Sequence, residues 1–95
     1  MTTDREDRED LEFGLLRMFL AVVQHGSMGR TAAAVKKTQP AVSQQMLRLE
    51  KIIGRKLFYR SRNGVKLTSH GELLVAYANR AIDTGQKVLW ANQQT

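Results

Sequence analysis

The chain has 95 residues, with 15 Lys+Arg against 9 Asp+Glu, a formal net charge of +6 and a pI near 10.2. That length allows one small domain with one modest core and excludes a large enzyme. The absence of cysteine removes disulfide frameworks, thiolate zinc sites and thiol nucleophiles together. No apolar run approaches the roughly 20 residues that span a bilayer, and the acidic start from Met1 to Asp10 does not resemble a signal peptide. A soluble, intracellular, mostly helical protein is expected.

Residues 1 to 12 hold six acids and two bases, a net of −4, so residues 13 to 95 carry +10. Between Arg30 and Lys66 there are ten bases and one acid, Glu50. Such a block suggests a polyanionic partner, with a solvated basic surface as the plain alternative.

Residues 1 to 10 have no large apolar side chain after Met1, so they read as a disordered acidic tail. From Leu11, the residues Phe13, Leu16, Phe19, Leu20 and Val23 recur at helical spacing, and Gly26 ends that first helix. Ser27 is a cap candidate for an alanine-rich second helix over Arg30 to Val35, which the Lys36-Lys37 pair closes. Thr38 is the next cap, Pro40 falls in the first turn where a missing N–H costs nothing, and Gly54 closes a third helix. Val42, Met46, Leu49 and Ile53 form its inward stripe, and Gln39, Ser43, Gln44, Leu47 and Lys51 point away. Two short helices joined by a tight turn match a helix-turn-helix, although other small bundles share that spacing.

Leu57 to Leu67 reads as a hairpin around Asn63-Gly64, because both residues accept positive φ. Arg60, Arg62 and Lys66 decorate its rim, and a basic hairpin after a helix-turn-helix is a wing. Ser69 and Glu72 have capping-box spacing at the start of a long final helix. Its roughly 24 residues extend about 35 Å, more than a three-helix core covers. The stripe Val75, Ala78, Ile82, Gly85 and Leu89, widened by Leu74, Ala81 and Val88, therefore predicts homodimerisation, which the small residues permit.

A helix fits the B-DNA major groove, where amide side chains read base edges. Gln44 is the leading candidate for adenine, with Gln39 and Ser43 beside it and Pro40 offering an apolar surface to a thymine methyl. The Ser27 and Thr38 hydroxyls, the adjoining amides and Arg30 suit phosphates. Arg62 suits a narrow minor groove, with Arg55, Lys56, Arg60 and Lys66 alongside; Arg48 suits the backbone, with pairing of Arg48 or Lys51 to Glu50 as the plain alternative. No nucleophile elbow or paired-carboxylate arrangement accompanies the serines, His25 or His70, so no catalytic residue, cofactor or metal is expected.

Leu15 to Ala78 resembles the N-terminal DNA-binding domain of LysR-type bacterial transcriptional regulators. The resemblance rests on GSM-x-x-x-A from Gly26, TQPAVSQQ-x-x-x-LE from Thr38 to Glu50, G-x-x-LF-x-R from Gly54 to Arg60, and LT-x-x-G from Leu67 to Gly71. It implies a winged helix-turn-helix over 11–68 (a three-helix core plus a β-hairpin wing) and a linker or dimerisation helix over 69–95. It also implies Gln39, Pro40, Ser43 and Gln44 as base-facing positions, double-stranded DNA as partner, and a homodimer that a longer form can extend to a higher oligomer. Gln44 stands where arginine is common, shifting preference away from guanine. Lys37 replaces a usually apolar turn residue, which implies either a looser turn or a phosphate contact, and Asn63 stands where the wing often carries arginine, leaving Arg62 nearest. Family members usually continue into an effector-sensing domain, so the chain is expected to be an excised domain or a naturally short relative. A winged-helix protein-interaction module and a non-specific nucleic-acid binder are the alternative readings.

Overall fold

Each junction between the first three helices carries one residue that ends a helix and another that starts the next. In the computed structural model, which describes the backbone of residues 2–93 and the side chains of residues 13–83, α1 (Thr2–His25), α2 (Met28–Val35) and α3 (Gln39–Ile53) follow in order. A hairpin of β1 (Phe58–Ser61) and β2 (Gly64–Leu67) and a long α4 (Ser69–Gln93) complete the chain. Gly26 ends α1 at φ +79, and the Ser27 hydroxyl then accepts from the Arg30 N–H at 3.0 Å, capping α2. Lys36, at φ 58, ends α2. Thr38 caps α3 by accepting from the Ala41 N–H at 3.3 Å, and Gly54 closes it at φ +77.

The core joins all these pieces. Leu15, Met18, Phe19 and Val22 from α1 pack with Met28 and Ala32 of α2 and with Val42, Met46 and Leu49 of α3. Leu57 and Phe58 add the base of the wing, with the Phe19 and Phe58 rings 5.3 Å apart. Among the described residues no buried side-chain polar atom lacks a hydrogen-bond partner.

The hairpin pairs Phe58 with Leu67, Tyr59 with Lys66, Arg60 with Val65 and Ser61 with Gly64. It is held from two sides. Val65 N–H donates to the Gly26 carbonyl at 2.9 Å, while the Glu50 carboxylate accepts from the Leu57 N–H at 2.7 Å and the Phe58 N–H at 3.4 Å. Thr68 starts α4: its hydroxyl donates to the Lys56 carbonyl at 2.6 Å and accepts from the Gly71 N–H at 3.0 Å. At Gly71 a Cβ would lie 2.3 Å from the Leu57 carbonyl oxygen, so only glycine lets the first turn of α4 sit against the base of the wing.

Several sequence expectations are corrected. The acidic segment expected as a disordered tail over 1–10 is part of α1, which begins at Thr2. Of the stripe expected to face inward on α1, Leu16 and Phe19 are buried and Leu20 and Val23 pack against the core, but Phe13 is exposed, and Leu15, Met18 and Val22 are buried beside them. Ile53 is also exposed at the end of α3. The hairpin turns at Arg62 and Asn63, with Gly64 already in β2 at φ +125. There a Cβ would lie 2.3 Å from the Gly26 carbonyl, so the glycine serves a tertiary contact rather than the turn itself. The cap of α4 is Thr68, not Ser69.

The face of α4 assigned to a partner is partly used within the single chain. Ala78 is fully buried and Leu74, Val75, Ala81 and Ile82 are half-buried, with α4 packed along α1. The Gly85, Val88 and Leu89 side chains lie outside the described residues.

The two glycines in helical first turns should respond oppositely to alanine. Gly71→Ala must push back the Leu57 carbonyl and should cost about 1–3 kcal/mol. Gly29→Ala, with nothing within 4 Å of its Cβ position, should be neutral or stabilising by up to about 1 kcal/mol. Thermal unfolding of both variants checks the contrast.

Candidate nucleic-acid interface

The structure brings the N-terminal end of α2, the first residue of α3 and the wing tip around one open groove. Ser27, Arg30, Gln39, Arg60, Arg62 and Asn63 all line it, and among the described residues no carboxylate does. Three guanidiniums beside two amides and the Ser27 cap form a donor-rich, cationic surface, complementary to the oxygens of a polyanion.

The caps fix how the hydroxyls act. Ser27 and Thr38 each use their oxygen to accept a backbone N–H, which leaves the hydroxyl hydrogen to donate outward. Thr31, fully buried, locks the same turn by donating to the Ser27 carbonyl at 2.7 Å.

Along α3, Gln39, Pro40 and Gln44 are exposed and Ser43 is half-buried. Ser43 makes the direct link between helix and wing: its oxygen accepts from Arg60 Nη1 at 2.7 Å. Leu47 and Arg48 continue the exposed side one turn later. On the wing, the Ser61 hydroxyl accepts from the Asn63 N–H at 3.3 Å and so shapes the tip that carries Arg62.

Other expected members lie apart from the groove. Lys37 is exposed in the turn before α3, and Arg48 and Lys56 are exposed without lining it. Lys66 pairs with Tyr59 across the hairpin and lines a second depression with Val23, Phe58, Leu67 and Glu72. Glu50, which sequence spacing offered as a partner for Arg48 or Lys51, instead serves the backbone at the base of the wing. Sequence reasoning missed Ser61 and the joining role of Glu50. The available signal was that Glu50 is the only acid among ten bases.

Among the described residues no group of three or more His, Asp or Glu is placed to hold a metal ion, and no helix is long and apolar enough to cross a membrane.

A winged helix-turn-helix with this surface defines a class of regulatory proteins, and comparison with known proteins places the chain within it. The family described as bacterial regulatory helix-turn-helix protein, lysR family, matches residues 13–72. The chain belongs to that family. It is 46% identical over 72 residues to the HTH-type transcriptional regulator DgdR of Burkholderia cepacia, covering 76% of this chain and 24% of that protein. It is 42% identical over 82 residues to the regulator PecT of Dickeya dadantii (strain 3937), covering 86% and 26%. The chain thus spans about a quarter of the length of these relatives, whose named role, transcriptional regulation, is not enzymatic. Among solved structures, the CbnR DNA-binding domain in complex with DNA is 29% identical with a TM-score of 0.83, covering 86% of this chain and 94% of that one. The BenM DNA-binding domain with its benA site 1 DNA is 28% identical with a TM-score of 0.81, covering 86% and 92%.

The cap chemistry makes a separate prediction about Thr38. Thr38→Ala should lower stability by about 0.5–2 kcal/mol, and Thr38→Ser should restore most of it. Chemical denaturation of the two variants beside the parent measures the difference.

Proposed function

We propose that the chain binds double-stranded DNA sequence-specifically and acts in transcriptional regulation in the bacterial cytoplasm. The observation that carries this reading is the groove that Arg30, Arg60 and Arg62 line together with Gln39, with no carboxylate lining it among the described residues. Cations of this density release counterions on meeting phosphates, and the exposed amides supply donor and acceptor pairs for base edges. In the proposed complex α3 enters the major groove. Gln39, Pro40, Ser43 and Gln44 meet bases; Ser27, Arg30, Lys37, Thr38, Arg48, Lys56, Arg60 and Lys66 meet the backbone. The wing presents Arg62 and Asn63 to the minor groove. The DNA complexes of the CbnR and BenM domains support this assignment.

The binding unit is a homodimer joined through α4. Leu73 and Tyr77 are 70% and 63% exposed and lie four residues apart on one side of the helix. They extend the half-buried Leu74, Ala81 and Ile82 into an apolar face that a second α4 can cover. A dimer of this kind reads two half-sites separated by about one helical turn or a multiple of it.

Two substitutions separate base reading from charge. Gln44→Ala should cost about 1–3 kcal/mol on the preferred duplex and relax one position, whereas Arg62→Ala should weaken all duplexes alike and reduce the salt slope by about one. Equilibrium titrations of a selected duplex, a random duplex and an RNA at several salt concentrations provide the measurement. Equal affinity for both duplexes would leave a non-specific binder, and no affinity for either at about 150 mM salt would leave a protein-interaction module.

A further inference from the structure

The hydrogen bond from the wing to α3 does more than brace the hairpin. Arg60 stands on β1, directly opposite Val65, and β1 is fixed where Glu50 holds Leu57 and Phe58 and where Val65 is tied to Gly26. From that fixed strand, Nη1 of Arg60 reaches the Ser43 oxygen at 2.7 Å. A guanidinium only donates and is always charged, so the Ser43 oxygen is held as an acceptor. The Ser43 hydroxyl hydrogen has no partner among the described residues, and the cation beside its oxygen makes that hydrogen a stronger donor.

We infer that Arg60 is a specificity-determining positioning residue, which orients Ser43 as a hydrogen-bond donor so that the base facing it must present an acceptor. The inference rests on the DNA-binding reading above. In the major groove, guanine offers N7 and O6, thymine O4 and adenine N7 as acceptors, while cytosine offers only the amino donor at N4. With Arg60 on its oxygen, Ser43 tolerates the acceptor-bearing bases guanine, thymine and adenine and disfavours cytosine, because a second donor would meet both an occupied lone pair and a positive charge.

Selection from a randomised duplex library, followed by titration of single-base variants of the selected duplex, tests this. The probes are the parent, Ser43→Ala, Arg60→Met, Arg60→Lys and the Ser43→Ala/Arg60→Met double variant, each checked for an intact helical melting transition. The position at which Ser43→Ala loses preference identifies the base facing Ser43. There the parent should favour guanine or thymine over cytosine about tenfold. Arg60→Met should flatten that preference as fully as Ser43→Ala does, the double variant should lose nothing more at that position, and Arg60→Lys should keep most of it. Preference for cytosine in the parent, or no position relaxed by Ser43→Ala, overturns the inference. So does an Arg60→Met variant that binds all duplexes weaker by one common factor, since Arg60 would then meet phosphate alone. A parent that enriches no sequence would instead remove the DNA-binding reading itself, and this inference with it.

Discussion

One carboxylate sets the relation between the helix that presents amides and the wing that presents arginines. Glu50 sits near the end of α3 and accepts the N–H groups of Leu57 and Phe58, so the chain leaves α3 in one direction. A hydrogen bond to a charged group contributes about 1.5–3 kcal/mol, a sizeable part of the stability of so small a domain. The rest of the wing base follows from that placement. The Leu57 carbonyl accepts from the Thr68 N–H at 3.0 Å, the Thr68 hydroxyl grips Lys56, and Gly71 brings α4 against the same peptide. Three elements therefore diverge from Lys56 and Leu57.

Turning that acid toward the backbone also shapes the electrostatics. Glu50 is the only acid between Arg30 and Lys66, so among the described residues the groove is lined by cations with no carboxylate beside them. A surface of this kind gains most from a partner that brings phosphates. The structural carboxylate and the basic interface are thus two sides of one arrangement.

Much of this was legible in the sequence where the signal is local. Ser27, Thr38, Pro40 and Gly54 mark the ends of α2 and α3 because a cap or an αL residue acts within three or four positions of itself. The exposed positions of Gln39 and Gln44 follow from the period of α3. The failures share a different cause. Gly64 looked like half of an Asn-Gly turn, yet it is required by the Gly26 carbonyl, a neighbour 38 positions away. In α1 the apolar residues Leu15, Leu16, Phe19, Leu20, Val22 and Val23 cover one broad face of the helix, so period alone could not fix the centre of its inward side. Ala78 looked available to a partner because nothing in its own segment shows that α4 packs along α1. Likewise, Arg60 and Ser43 meet across 17 positions, and only the fold joins them.

The central claim is that Glu50 holds the wing in register with α3, so that helix and wing meet adjacent grooves of one duplex. Chemical footprinting of a selected duplex tests it most directly, comparing the parent with Glu50→Gln at a temperature where both are folded. The parent should shield purine N7 atoms in the major groove and the sugars of the adjoining minor groove, and Glu50→Gln should keep the first protection while losing much of the second. Identical footprints for the two proteins, or a parent that leaves the adjoining minor groove open, would contradict the account.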